Sequence, residues 1–182
     1  MNGWVLLLRG INVGGRNLLP MAKLRALLGE LGVREIASSV QSGNVVFDGI
    51  IAADSFEEIV ETEIAARFGF RPRALVLSAE SFREIAAAYP FEAAQDAPKT
   101  GHIWFCSAPP RGDAEKMEAL AAPSERFAFG PNNAFFLHAP EGIGRSVLAA
   151  RAEKILGVPA TARNLNTVDR LLALLDAMEA AH

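Results

Sequence analysis

The chain is poor in cysteine, with Cys106 as the single one among 182 residues. One cysteine cannot form an internal disulfide, which is typical of a protein from a reducing compartment. Long apolar runs are missing too, because none approaches the roughly 18 residues that a membrane span needs. The apolar run at residues 4–8 is too short for a secretory signal and is followed by arginine. We therefore expect a cytoplasmic protein with no membrane partner.

An excess of basic charge is also absent. The chain has 18 Lys and Arg against 21 Asp and Glu, a net charge of −3, and bulk nucleic-acid binding usually requires a basic domain. There are only three histidines. His102 and Cys106 alternate onto one face of a predicted strand roughly 13 Å apart, too far for a catalytic dyad. No spacing resembles a zinc or calcium site, so we predict no metal and no cofactor.

The hydrophobic periodicity predicts two similar halves. In the first, strands at 4–9, 35–40, 45–47 and 73–77 and helices at 20–31 and 55–68 follow the order β-α-β-β-α-β, which is ferredoxin-like. The same order returns from residue 102 onward. We predict an α/β (α+β) fold of two ferredoxin-like βαββαβ-type subdomains with antiparallel or mixed sheets. The predicted domains are residues 1–78, a helix and linker at 79–100, and residues 101–182 with a closing helix.

Two details concern the helix predicted at residues 55–68. Ser55 is the predicted cap, with Glu58 completing a capping box. Its acidic residues are interpreted as a solvated helix face, and they are Asp54, Glu57, Glu58, Glu61 and Glu63.

The stretch around which the chain is organised is LLLRGINVGGRN, residues 6–17. It reads as a strand end, a glycine-rich loop and a helix start, an arrangement that can point backbone N–H groups at an anion. The candidate ligand-binding residues here are Arg9, Gly10, Asn12, Gly14, Gly15, Arg16 and Asn17. The spacing G-x-x-x-G-G is neither the dinucleotide fingerprint nor the P-loop, which disfavours NAD or ATP binding in those modes. Arg9 either binds phosphate or carboxylate bidentately or is a structural arginine, with the two readings near even.

The predicted topology places a second segment beside this loop. The first two strands run the same way, so Arg9–Asn17, Gln41–Asn44 and Arg71 are expected at one end of the sheet. Ser42 and Asn44 are therefore further candidate binding residues. Turn chemistry alone explains a Ser-Gly-Asn turn about twice as well as a site does.

Two polar segments in the second half are also candidates. Arg145 and Ser146 lie at a predicted helix N-terminus, where capping by Ser146 is the better interpretation. Arg163, Asn164 and Asn166 precede the last helix, which Asn166 or Thr167 is predicted to cap. More polar side chains are present than a cap needs, so binding and structural roles are evenly balanced.

Four motifs resemble the domain of unknown function 1697 family of bacterial proteins. The segments are LLRGINVGG-x-N…M-x-x-L at Leu7–Leu24, QSGNVVF within Val40–Phe47, GIGRS at Gly142–Ser146 and a TxRNxNTV segment at Thr161–Val168. There are two departures from the family pattern: Leu165 stands where the closing motif has tryptophan, and Ser38-Ser39 replace a Thr-Tyr pair. If that tryptophan stacks on a ligand in the family, this chain lacks the contact. The resemblance implies a two-subdomain α/β fold and no particular activity.

Three functions stay open at this point. The first is binding of an anionic ligand, such as a nucleotide or an RNA end, at residues 9–17. RNA is the weaker partner, because ferredoxin-like sheets bind RNA through exposed strand aromatics and Trp4 and Phe47 look buried. The second is a metal-independent enzyme acting on a small phosphorylated or carboxylated metabolite. The third is a protein-interaction module whose glycine loop is architectural. The pattern does not decide whether the chain is an enzyme, nor its oligomeric state.

Overall fold

The computed structural model describes residues 2–39 and 43–181, and these form a mixed α/β fold with two four-stranded antiparallel sheets. The chain divides into two compact units, Met1–Arg83 with Arg170–His182, and Glu84–Asp169. The predicted fold class is therefore confirmed, whereas the domain boundaries at 78 and 101 stay a prediction. No helix in the described part of the chain is long and apolar enough to cross a membrane.

The first unit has the ferredoxin-like strand order β2-β3-β1-β4. Its elements, with the helix that follows them, are β1 (Gly3–Arg9), α1 (Met21–Glu30), β2 (Arg34–Ser39), β3 (Asn44–Asp48), α2 (Ala53–Phe68), β4 (Arg73–Ser78) and α3 (Ala79–Ala87). Both β1 and β2 are antiparallel to β3. They therefore run in the same direction, as the sequence predicts.

One face of this sheet packs against α1 and α2. Alternate residues of each strand supply the face, because successive side chains in a strand point to opposite sides. The fully buried residues of this core include Leu6, Val45 and Phe47 from the strands, and Leu24, Leu28, Val60 and Ile64 from the helices. The predicted cap of α2 is wrong, since the helix starts at Ala53 and its N-cap residue Ala52 makes no side-chain capping bond. The apolar side chain of Ile59 in α2 is 45% exposed.

Two carboxylates of α2 bond the outer edge of β4. Glu61 accepts the N–H of Ala74 at 2.9 Å, and Glu57 accepts the N–H of Val76 at 2.6 Å. An edge strand presents unpaired N–H groups, and these two contacts satisfy two of them. Burial raises the pKa of Glu57 in spite of the Val76 bond. The interpretation of the acidic residues as a solvated face is therefore wrong for Glu57 and Glu61.

The second unit repeats the architecture, with strand order β6-β7-β5-β8. The elements of the second half are β5 (Gly101–Cys106), α4 (Ala114–Leu120), β6 (Arg126–Phe129), β7 (Ala134–His138), α5 (Val147–Leu156), β8 (Ala160–Asn164) and α6 (Leu165–Ala180). One core cluster joins β5 and β7 to α4 and α5 through Trp104, Phe135, Met117 and Leu148. Within the second unit, α4 and α5 are the counterparts of α1 and α2 in the first unit.

The stretch at residues 92–100, interpreted from the sequence as a linker, is bonded into the second unit. It contains a 3-10 turn at Glu92–Ala94, and Ala94 is fully buried. The carbonyl of Thr100 accepts the N–H of Ala139 at 2.9 Å, and the carbonyl of Pro98 accepts the N–H of Leu165 at 3.2 Å.

Candidate functional site

The glycine-rich loop forms a small β-hairpin between β1 and α1. Arg16 donates its N–H to the carbonyl of Val13 at 3.0 Å, and the two residues form an antiparallel bridge. Between them, Gly14 and Gly15 have φ values of +58° and +72°. Two central residues with positive φ define a type I′ turn, which favours glycine strongly. The two glycines are therefore explained by the turn itself.

Two asparagines fasten the base of this hairpin. The side-chain amide of Asn12 donates to the carbonyl of Leu19 at 3.0 Å, and its oxygen accepts the N–H of Leu19 at 2.8 Å. Asn17 donates its side-chain N–H to the carbonyl of Gly10 at 2.7 Å. Both asparagines have φ of +52°, a conformation that asparagine tolerates better than most residues. Their amides have structural partners within the loop, and ligand binding by them stays a prediction.

Arg9 lies opposite a second arginine. In the β1–β4 register it pairs with Arg73, and both residues are exposed. Directly opposed residues of antiparallel strands have Cβ atoms roughly 4.5–5.5 Å apart on one face, and like charges there are destabilising. Arg9 is exposed and therefore not part of the core, and its role in ligand binding stays a prediction. We name Arg9, Arg73 and the exposed hairpin residue Arg16 the arginine end of the first sheet.

The turn between β2 and β3 meets the same sheet end. Gly43 accepts the N–H of Leu8 at 2.9 Å, and a Cβ built on Gly43 would lie 2.7 Å from the Cδ1 of Ile11. The predicted proximity of the hairpin loop and this turn is therefore confirmed. Asn44 is fully buried. Ser42, the other candidate in this turn, lies outside the described residues.

Arg71 reaches the same end but has a structural partner. Its Nε donates to Oε2 of Glu61 at 3.0 Å, and Glu61 is 9% exposed. The same carboxylate also accepts the N–H of Ala74. Glu61 thus balances the charge of Arg71 and fixes the start of β4, which positions Arg73 two residues on.

The polar candidates at the helix starts of the second unit act as caps. Ser146 accepts the N–H of Ala149 at 2.9 Å and is the N-cap of α5. Asn164 accepts both the N–H of Thr167 at 3.0 Å and its hydroxyl at 3.1 Å. The sequence assigned the cap of the last helix to Asn166 or Thr167, and that assignment is wrong.

The two remaining arginine candidates differ in environment. Arg145 is exposed at the end of a 3-10 turn. Arg163 donates to the hydroxyl of Thr161 at 2.7 Å and to the carbonyl of Ala162 at 2.8 Å. Burial lowers the pKa of Arg163 to about 10, so the guanidinium is still charged at neutral pH. Neither belongs to the unit that carries the arginine end, and ligand binding by Arg145, Ser146, Arg163, Asn164 and Asn166 stays a prediction.

Cys106 and one of the histidines, His102, are both enclosed in the second unit. Cys106 is buried, and desolvation raises the pKa of its thiol to about 11, with a further contribution from Glu153. His102 is 5% exposed, and desolvation lowers its pKa. Within residues 2–39 and 43–181, no three His, Cys, Asp or Glu side chains are grouped to hold a metal ion.

The sequence interpretation missed a basic groove in the second unit. A cavity of about 880 Å³ is lined by Arg111, Lys116, Arg151 and Lys154 together with Asp113. The signal in the sequence is the pair Arg151 and Lys154, spaced i and i+3 on a predicted helix. Such a pair alone is indistinguishable from an ordinary solvated surface.

The architecture is that of an α/β protein made of two ferredoxin-like units. The chain belongs to the DUF1697 family, since the model described as "Protein of unknown function (DUF1697)" matches residues 1–135. The resemblance inferred from the motifs is thus confirmed, although the motifs at Gly142–Ser146 and Thr161–Val168 lie beyond the matched residues.

The fold is similar, across nearly the whole chain, to that of a solved bacterial protein. It is the conserved bacterial protein SP0830 from Streptococcus pneumoniae, 28% identical, with a TM-score of 0.70. The similarity covers 96% of this chain and 98% of that one. A search of curated proteins found no match.

Proposed function

We propose that the protein binds a small anionic ligand, carrying phosphate or carboxylate, at the arginine end of its first sheet. The observation that carries this proposal is the pairing of Arg9 with Arg73 at the last register position of β1 and β4. Arg16 extends from the same strand end on the hairpin. Three exposed arginines on one short stretch of surface supply charge and directed donors for an anion.

The choice of arginine suits this role. A guanidinium offers several N–H donors in a planar fork, and it binds carboxylate or phosphate through two parallel hydrogen bonds. Two such groups on opposed strand positions repel one another without an anion and can share one when it is present.

The surroundings support a small molecule in preference to RNA. Ferredoxin-like domains that bind RNA stack bases on exposed aromatic side chains of the sheet. In this sheet Phe47 is fully buried in the helix-facing core, and Trp4 donates its indole N–H to the carbonyl of Gly49 at 2.9 Å. Recognition at the arginine end therefore depends on charge and hydrogen bonds.

A thermal-shift screen tests the proposal. The probes are inorganic phosphate, sugar phosphates, nucleotides and di- and tricarboxylates, each compared with chloride at equal ionic strength. A ligand present at 100 times its dissociation constant should stabilise the protein by about 2.7 kcal/mol. Arg9→Gln and Arg73→Gln should abolish the shift when they are made in an Arg151→Gln/Lys154→Gln background, which weakens anion binding in the basic groove.

Arg34→Gln is the matched control. Arg34 is exposed and pairs with Asp48 in the register, at the opposite end of the same sheet. Arg34→Gln removes one positive charge, as Arg9→Gln does, without changing the proposed site. The proposal fails if no probe shifts the wild type, or if Arg34→Gln reduces the shift as much as Arg9→Gln does.

A protein-interaction role is the second candidate, and the hairpin favours it. Val13 and Leu18 are 69% and 64% exposed. Apolar side chains on a projecting hairpin can serve a contact between protein surfaces. Sedimentation of the wild type and of Val13→Ser/Leu18→Ser would test contact between copies of the chain. Concentration-dependent association that disappears in the variant supports the role, and a monomer at all concentrations argues against such self-contact.

A further inference from the structure

We infer that the basic groove of the second unit is a separate binding site for a nucleoside diphosphate or a ligand of the same chemistry. The groove lies between α4 and α5 and encloses about 880 Å³. Small-molecule sites usually have about 300–1,000 Å³. It lies within Glu84–Asp169 and shares no residue with the arginine end.

Each helix contributes one ridge with the same design. In α4 the ridge is Lys116, Ala119 and Leu120, and in α5 it is Arg151, Lys154 and Ile155. Both triplets have the spacing i, i+3, i+4, which places their members on one helix face. The cations are exposed, and Leu120 and Ile155 are partly buried against the core. The groove therefore has charged rims and an apolar floor.

The positive charges of the groove are mostly unbalanced. Lys116 pairs with Asp113 at 2.9 Å, and Asp113 also accepts the N–H of Lys116 as the cap of α4. Within the described part of the chain, Arg111, Arg151 and Lys154 have no ion-pair partner. Like charges spaced i and i+3 destabilise a helix. The arrangement is thus unfavourable until an anion enters.

Two further acidic residues of these helices have contacts outside the groove. Glu153 lies between Arg151 and Lys154 in the sequence, yet its carboxylate reaches the N–H of Ala160 in β8 at 3.4 Å. Glu118 lines a different cleft, beside Pro123 and Arg126. The chain as a whole carries a net charge of −3. The four basic side chains of the groove therefore differ in sign from the net charge of the chain.

Helix-end electrostatics account for only part of this set. Lys154 lies in the last turn of α5, where a cation interacts favourably with the helix dipole. Arg111 is held beside the same helix end, because its N–H donates to the carbonyl of Leu156 at 2.9 Å. Arg151 sits a turn earlier, where the dipole effect has largely faded, and Lys116 belongs to another helix.

The shape and chemistry of the groove define the ligand class. A diphosphate offers at least two negative charges to the rims, and the apolar floor of Ala119, Leu120 and Ile155 can accept a flat base. A nucleic-acid polymer would need a continuous basic path, which a confined groove on an acidic protein does not favour. The site therefore suits a nucleoside diphosphate better than a strand.

Calorimetric titration with ADP at low ionic strength tests this inference. We expect binding with a Kd below about 1 mM, and inorganic phosphate should bind at least about tenfold more weakly because it lacks the second phosphate and the base. Arg151→Gln and Lys154→Gln should each weaken ADP binding about tenfold, which corresponds to about 1.4 kcal/mol. Both side chains are exposed, so circular dichroism should show an unchanged fold.

Lys99→Gln and Arg170→Gln are the matched controls, because each removes one exposed positive charge elsewhere. They should change the Kd of ADP less than twofold. The inference is overturned if ADP does not bind, or if the controls weaken it as much as the groove variants do. Loss of ADP binding in Arg9→Gln, with the groove variants unaffected, would assign the nucleotide to the arginine end. That result would overturn the groove and support the proposed function.

Discussion

Arg9 and Arg73 are register partners at the end of two neighbouring antiparallel strands, and both side chains are exposed. Like charges directly opposed on neighbouring antiparallel strands are destabilising. The proposed function interprets this pair as a binding site for an anion.

The start of β4 should depend on Glu61. Glu61→Ala removes both the ion pair with Arg71 and the acceptor for the Ala74 N–H. Because a hydrogen bond to a charged group contributes about 1.5–3 kcal/mol, the free energy of unfolding should fall by about that amount. Glu58→Ala, an exposed change on the same helix, should stay within about 0.5 kcal/mol. Equal urea midpoints for the two variants would contradict this role.

Gly43 should tolerate no side chain. Its φ is +70°, and a Cβ would lie 2.7 Å from both the Cδ1 of Ile11 and the Cβ of Leu8. Gly14 has φ of +58° with nothing within 4 Å of its added Cβ. Gly14→Ala should therefore cost about 1–2 kcal/mol for the left-handed backbone alone, and Gly43→Ala about 1–3 kcal/mol more for overpacking. Thermal unfolding of both variants checks the order, and a smaller loss in Gly43→Ala would show that the turn adjusts.

Cys106 should be inert in the native protein. With a thiol pKa of about 11, only about one molecule in a thousand carries the thiolate at pH 8, and the sulfur is buried. Iodoacetamide should label it only after unfolding, at a rate set by opening of the second unit. Mass spectrometry of the native protein should show the unmodified mass. Rapid stoichiometric labelling without denaturant would disprove this environment.

The cap of α6 should be Asn164 alone. Asn164→Ala removes the acceptor of the Thr167 N–H and should lower the free energy of unfolding by about 1 kcal/mol. Asn166→Ala, two residues along, serves as the control and should change it much less. Chemical denaturation of the two variants measures the difference. A larger loss in Asn166→Ala would return the cap to the position that the sequence indicated.

The fold could be predicted because local sequence patterns indicate most of its helices and strands. The apolar run of β1, the period of α1 and the left-handed glycine at Gly69 are all readable without knowing which elements pack together. The carboxylates of Glu57 and Glu61 could not be placed in this way. They look like a solvated helix face until the pairing of α2 with the edge of β4 is known.

The candidate site was only partly predictable for the same reason. Arg9 stands out at the end of an apolar run, whereas Arg73 gains its meaning from the strand register, a relation across 64 residues. The Gly-Gly pair is equally compatible with an anion loop and a type I′ hairpin, and the bonds of Asn12 and Asn17 decide for the hairpin. The basic groove depends on the packing of α4 against α5, which no local pattern encodes.

The most direct test of the central claim is the urea midpoint of Arg9→Gln/Arg73→Gln with sodium phosphate and with sodium chloride at equal ionic strength. It is measured in an Arg151→Gln/Lys154→Gln background, so that the contribution of the basic groove is strongly reduced. Arg34→Gln/Lys99→Gln in the same background is the control for lost charge.

In chloride, the account predicts a midpoint equal to or above that of the background protein, because the repulsion between the two arginines is removed. Phosphate should raise the midpoint of the background protein and of the control, and leave Arg9→Gln/Arg73→Gln unchanged. If the free energy of unfolding in chloride, derived from the urea curve, falls by several kcal/mol, the arginines are structural. A phosphate shift that survives in Arg9→Gln/Arg73→Gln would contradict the arginine end as the anion site.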